Sequence, residues 1–289
     1  MKKFIAILAI LVALCLAAAG CAAPAAEEAA APAGEEPPVE EAAPAEEAAE
    51  QVELIVFAAA SLQETLTQIG ELYQAVAPNV TLIFSFDSSG TLKTQIQEGA
   101  DCDLFISAAQ KQMNQLDAAA DPEVNTKGLD FVEQGTRVDL LENKVALVVP
   151  EGNPANINSF ADIANCESIA LGNDDVPVGQ YSIEILTNLG LLEGLESGSK
   201  ITYGSNVKEV TTQVSEGAVD CGIVYATDAF SAGLTIVDQA QEDMCSQVIY
   251  PAAVLNISQH LEEAKAFLAY LQGEEATAVF ESVGFAPVG

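Results

Sequence analysis

From Val52 to the C-terminus the sequence alternates short apolar runs with segments of helical period, and that rhythm admits few folds. Residues 52–58 read as a strand, after which Leu62, Leu66, Ile69, Leu72 and Val76 share one helical face. Ser61 and Glu64 have the spacing of a capping box at the start of that helix. A second strand is expected over 80–86, then Asp87-Ser88-Ser89-Gly90 and a helix carrying Leu92 and Ile96, then a third strand over 103–107. An apolar strand over 145–150 and a turn-rich stretch to Asn158 precede a second series. Its strands fall at 168–172, 201–203 and 222–225, with helices ending near Leu189 and Glu216. Residues 248–255 read as a return strand and 261–280 as helical. Repeated βα units predict an α/β fold whose sheets are mostly parallel and flanked by helices. Two series joined in the middle and near the end predict two lobes around a cleft. Lobe I covers about 52–135 plus 258–289, and lobe II about 145–255.

The segment before Val52 is of another kind. Lys2 and Lys3 precede an uncharged apolar run from Phe4 to Ala19, too short for a comfortable membrane span and ending in small residues. That is the pattern of a signal peptide over residues 1–20. Ala18-Ala19-Gly20-Cys21 resembles the lipobox of bacterial lipoproteins, with Cys21 as the lipid-bearing residue and Ala18 where a larger aliphatic is usual. Residues 22–51 hold 13 Ala, 9 Glu and 5 Pro and a single larger apolar residue, Val39. Such a stretch cannot bury enough surface to offset the entropy of ordering it, so 21–51 reads as a lipidated cysteine and a disordered tether. The expected location is extracytoplasmic, on the cell membrane.

Charge narrows the possible partners. Asp and Glu number 43 against 10 Lys and Arg, of which Lys2 and Lys3 fall in the leader. No basic patch can be assembled to displace counterions, which argues against nucleic acid. Beyond Cys15 and Cys21 the cysteines are Cys102, Cys166, Cys221 and Cys245, an even number that suggests disulfides in an exported domain. If the strands at Ser168 and Gly222 are neighbours, Cys166 and Cys221 precede them at one edge and pair first; Cys102 and Cys245 would pair by default. Without a Cys-x-x-Cys, and with His260 remote from all four, a zinc site is not expected.

Ligands of open α/β sheets sit beyond the carboxyl ends of the strands, where helix N-termini offer unpaired N–H groups and a positive dipole end. Five runs fall there: Ala58-Ala59-Ala60-Ser61-Leu62, Ser88-Ser89-Gly90-Thr91-Leu92, Val176-Pro177-Val178-Gly179, Ser205-Asn206-Val207 and Gly222-Ile223-Val224-Tyr225. Taken singly, a serine there is expected as a helix cap, and Tyr225 as a core tyrosine.

Taken in order, the runs are similar to those of the molybdate-binding proteins of ABC transporters. The resemblance is carried by Val56-Phe57-Ala58-Ala59-Ala60-Ser61-Leu62, by Phe86 to Leu92 and by Asp103-Leu104-Phe105-Ile106-Ser107-Ala108. It continues through Val176 to Tyr181, Asn206-Val207-Lys208, Gly222 to Ala229, Tyr250-Pro251-Ala252-Ala253-Val254 and Gly284-Phe285. It implies a two-lobed periplasmic-binding-protein fold of the second type, closing on its ligand like a hinge and acting as a monomer with an ABC permease. It implies molybdate or tungstate as transported ligand, no cofactor and no direct cation ligands. It also implies an oxyanion site made by the hydroxyls and N–H groups of Ser61 and Ser89, the N–H groups of Val178 and Val207, and the Tyr225 phenol. Asp87 departs from the small residue usual there and is expected to point away. Val178 replaces a smaller Ala, and Lys208 an Arg.

Two other readings compete. Sulfate suits a donor-only pocket, whereas phosphate keeps a proton and wants an acceptor such as Asp87 or Asp174. An enzyme acting on a small anionic ester would need a catalytic set. Asp174-Asp175 and Asp101/Asp103 are loop acids, His260 has no serine motif near it, and no phosphate-binding Gly-rich loop is present.

Overall fold

The structure, a computed structural model, describes residues 50–288. The expected signal peptide, Cys21 and nearly all of the tether lie outside the described residues. The first βα units are β1 (Val52–Ala59), a 3-10 turn Ala60–Leu62, α1 (Gln63–Val76), β2 (Val80–Asp87), α2 (Ser89–Gln97), β3 (Leu104–Ile106) and α3 (Gln110–Asn114). The strands β4 (Val138–Asn143) and β5 (Val145–Val149) follow. The second series runs β6 (Ile169–Gly172), α4 (Pro177–Asn188), α5 (Leu192–Ser197), β7 (Ile201–Gly204), α6 (Val207–Ser215), β8 (Cys221–Tyr225), α7 (Ala226–Ala232) and β9 (Thr235–Gln239). The chain ends with β10 (Val248–Val254), α8 (Leu261–Leu271), α9 (Glu274–Ser282) and β11 (Ala286–Pro287).

Two sheets form, ordered β11-β4-β10-β3-β1-β2 and β7-β6-β8-β5-β9. Each is mixed. Parallel pairing joins β1 to β2 and β3, and β6 to β7 and β8, where helical crossovers separate the strands. The remaining strands pair antiparallel. The inner strands β3, β6 and β8 are buried along their whole length, as strands covered on both faces are, whereas the edge strands β2 and β7 expose Ile83 and Tyr203. In β1, Leu54, Val56 and Ala58 join the main core while Phe57 packs with Leu92, Phe105 and Met113 on the opposite face.

The strand at 248–254 was expected with the second lobe, but β10 lies in the first sheet between β3 and β4. Strand period carries no information about which sheet a strand joins, and β4, with Asp139, Glu142 and Asn143, gives no apolar signal that would have announced its partner. The chain therefore passes from the first sheet to the second at Lys144 and returns between β9 and β10. Asn143 fixes the first crossing: its Oδ1 accepts the Lys144 N–H at 2.8 Å, and its Nδ2 donates to Thr227 Oγ1 at 2.8 Å and to the Tyr250 hydroxyl at 3.2 Å.

Neither expected disulfide is closed, since all four described cysteines are free thiols. β6 and β8 are neighbours, with Ile169 opposite Cys221. Cys166 and Cys221 consequently adjoin, and hydrogen bonding to Cys166 together with burial pushes the Cys221 thiol up. Cys102 and Cys245 were paired by parity alone. Cys102 is buried with Phe57 and Phe105, its Sγ donating to the Leu104 carbonyl at 3.3 Å, whereas Cys245 packs on the other core beside Glu184.

Candidate functional site

The carboxyl ends of β1, β2, β6 and β8 converge on a narrow cavity of about 10 Å³ lined by Ser61, Asp87, Ser89, Ala108, Pro177, Val207 and Tyr225. That is roughly the room of one water molecule, so the walls stand close together and leave space only for a very small solute. Among the described residues, no lysine, arginine or histidine lines it. Ser61, Ser89, Val207 and Tyr225 thus meet as expected from the sequence. Val178, fully buried, lies next along from Pro177 in the first turn of α4, where N–H groups have no intrahelical acceptor. Val207 is the first residue of α6, whose cap is the Asn206 side chain accepting from Glu209 N–H.

The serines do not act as caps. α1 begins at Gln63 with no side-chain cap, so the capping box expected from Ser61 and Glu64 does not form. The Ser61 hydroxyl is drawn away by Tyr250, 2.9 Å distant. Asn143 also donates to the Tyr250 oxygen, and either hydroxyl can be the donor between Ser61 and Tyr250. In α2 the cap is Ser88, which accepts from Thr91 N–H at 3.1 Å. Ser89 Oγ instead accepts the Ala108 N–H at 2.9 Å, which leaves its own proton to give. The Tyr225 hydroxyl donates to the Ala108 carbonyl at a long 3.4 Å.

Burial, followed by the Tyr250 ring beside it, pushes the Tyr225 phenol well up, and burial followed by Asp228 does the same for Tyr250. Both therefore stay protonated donors at any physiological pH. The site is a set of neutral O–H and N–H donors at three helix starts, an arrangement suited to an anion. Asp87 is also part of the cavity wall, and its Oδ1 accepts the Ser88 N–H at 2.7 Å. Asp174 does not take part; it lies in an open acidic depression with Asp175, Glu196 and Tyr203.

Sequence reasoning missed Tyr250 and Asn143, the second because it sits in an unrecognised strand. Tyr250 is enclosed by the wholly buried β10 and reads there as core. Also missed was an ion cluster beside the cavity. Lys208 Nζ donates to Glu64 Oε2 at 2.7 Å and lies 3.0 Å from Asp228 Oδ1 in an ion-pair contact without hydrogen-bond geometry. Burial works to lower the Lys208 pKa, but Asp228 and Glu64 outweigh it and the ammonium is held charged. Burial pushes the Asp228 carboxyl up to about 6 against the pull of Lys208. A folded value above the unfolded one stabilises fully below the unfolded value, and that contribution is lost as pH rises through about 6. Replacing Asp228 with Asn, a permanently neutral isostere, is therefore expected to raise the melting temperature above wild type at pH 8. The advantage should shrink steadily as melts are repeated down to pH 4.

Around the cavity the two lobes are joined by the bonds of Tyr225 to Ala108 and Lys208 to Glu64, and by Gly90 N–H donating to the Asp175 carbonyl at 3.0 Å.

A family model described as bacterial extracellular solute-binding protein matches residues 54–286. The Bacillus subtilis protein named "Putative ABC transporter substrate-binding lipoprotein YvgL" is 38% identical over 238 residues, covering 82% of this chain and 87% of that protein. The molybdate-binding protein ModA of Escherichia coli is 33% identical over 244 residues, covering 82% and 90%. Among solved structures, the periplasmic molybdate-binding protein of Azotobacter vinelandii superposes with a TM-score of 0.70 at 22% identity, covering 82% of this chain and all of that one.

Proposed function

The chain belongs to the bacterial extracellular solute-binding proteins, and from that premise we propose that its cavity captures molybdate, or the nearly equal-sized tungstate, for delivery to an ABC import permease. Family membership makes it an extracytoplasmic binding protein and not an enzyme. The observation that carries the ligand assignment is the donor set: the hydroxyls of Ser61, Ser89 and Tyr225 and the first-turn N–H groups at Val178 and Val207, around a small space that no cation lines among the described residues. A fully deprotonated tetrahedral dianion needs donors on every side and no acceptor. Charge-assisted hydrogen bonds from rigid donors replace its hydration shell. The names of the relatives point the same way.

Binding would proceed by hinge closure about the crossings at Lys144 and between β9 and β10, bringing the serines of lobe I against Val178, Val207 and Tyr225 of lobe II. The protein would act as a monomer. Lipidation at Cys21, with residues 22–51 as tether, would keep it over the membrane near its permease; the lipoprotein name of the Bacillus relative supports this.

Calorimetry of the chain from residue 22 onward with molybdate, tungstate, sulfate and phosphate tests the assignment. Micromolar or tighter binding of molybdate and tungstate is expected, with sulfate weak because its shorter bonds leave donors out of reach. A preference for sulfate would transfer the site to that anion. A preference for phosphate that disappears in Asp87→Asn would identify that carboxylate as the acceptor a protonated anion needs. Ser89→Ala and Tyr225→Phe are each expected to cost about 1–3 kcal/mol of molybdate binding, the effect of losing one bond to a charge.

A further inference from the structure

We propose that Lys208 is the latch that holds the two lobes closed, its ammonium group joining Glu64 of the first lobe to buried Asp228 of the second. The inference rests on the reading of the cavity as an anion site closed by hinge motion. Lys208 follows Val207 directly in the first turn of α6, and Glu64 lies in the first turn of α1 just beyond Ser61. The pair therefore ties together the two helix starts that flank the cavity, without lining it.

The two arms of the latch differ in kind. Asp228 is fully buried in α7, and neither of its oxygens has a hydrogen-bond donor, so Lys208 is the charge that compensates it. Both residues belong to the second lobe, and a buried charge that loses its partner is costly. This arm persists whether the cleft is open or closed. The Glu64 side chain is 50% exposed, and its carboxylate is stable in water alone. That arm forms and breaks at little cost as the lobes meet and part. A lysine anchored on one side and released on the other contributes to closure without blocking opening. Its positive charge also stays within one residue of the Val207 N–H, partly balancing the carboxylates near an incoming dianion.

A purely structural role, in which Lys208 only neutralises Asp228, predicts different results. In the protein from residue 22 onward, Glu64→Gln leaves the buried pair intact. It is expected to weaken molybdate binding roughly threefold to tenfold at low salt, the scale of a partly shielded ion pair. Most of the effect should appear as faster release, and the ligand-free melting temperature should stay within about 2 °C of wild type. Lys208→Met should weaken binding at least as much and also lower the ligand-free melting temperature, while Lys208→Arg should restore both. Adding Glu64→Gln to Lys208→Met should cost no further affinity. Wild-type affinity in Glu64→Gln at low salt, or additive losses in the double variant, would overturn the latch. Failure of the wild-type protein to bind molybdate, tungstate or sulfate would overturn the anion reading, and the latch with it.

Discussion

Gly90→Ala is expected to fold as well as wild type and to lose roughly a hundredfold in molybdate affinity. Gly90 stands in the first turn of α2 with ordinary helical geometry, so within its own lobe an alanine is welcome, and helix propensity favours it by about 1 kcal/mol. The obstacle lies in the other lobe. A Cβ at position 90 would sit 2.4 Å from the Asp175 carbonyl oxygen and 2.8 Å from the Asp175 Cα and Cβ. The Gly90 N–H donates to that same carbonyl at 3.0 Å, so the lobes cannot separate enough to admit a methyl without losing the bond. The penalty falls on the closed state alone. Calorimetry should show the loss of affinity, and melts should show an unchanged or slightly raised ligand-free transition that molybdate no longer shifts. Wild-type affinity in this variant would mean that the anion is held in a cleft that need not close.

The elements legible in the sequence are those whose signal is local. The βα alternation announces β1 to β3 and β6 to β8 because apolar runs covered on both faces have few other uses. The adjacency of Cys166 and Cys221 followed from the same rhythm, since neighbouring parallel strands bring their preceding residues to one edge. What local pattern leaves open is partnership. β10 joins the first sheet and β4 borders it, which no periodicity specifies. Ser61 and Glu64 have capping spacing, but each finds a stronger long-range partner: Tyr250, 189 residues on, and Lys208, 144 residues on. Both are unpredictable from the helix they flank. The five proposed ligand residues were legible only together, through their ordered resemblance to a family, because each alone suits a cap, a turn or a core. Tyr250 and Asn143, which bond in sequence to Ser61 behind the cavity, were hidden in strands.

Gly179→Ala is expected to damage both stability and binding, and the contrast with position 90 separates a packing requirement from a closure requirement. A Cβ at 179 would lie 2.3 Å from the Gly172 carbonyl oxygen and 2.6 Å from both the Gly172 carbonyl carbon and the Asn173 carbonyl oxygen. All three are backbone atoms of the same lobe, so the clash is present with the cleft open or shut and no side chain can swing aside. α4 must lift from the end of β6. Loss of about 3 kcal/mol or more is expected, the upper range for overpacking, which for a domain of this size lowers the melting temperature by roughly 6–12 °C. Gly194→Ala, in a helix with nothing within 4 Å of the added Cβ, supplies the control and should be neutral or stabilising. Molybdate binding by Gly179→Ala should fall below detection even at temperatures where the variant is fully folded. The close seating of α4 on β6 sets where the Val178 N–H points, and a helix start displaced by an ångström no longer aims its donors at the anion. A variant that melts early yet binds normally would show that the first turn of α4 is scaffold only, and would remove Val178 from the site.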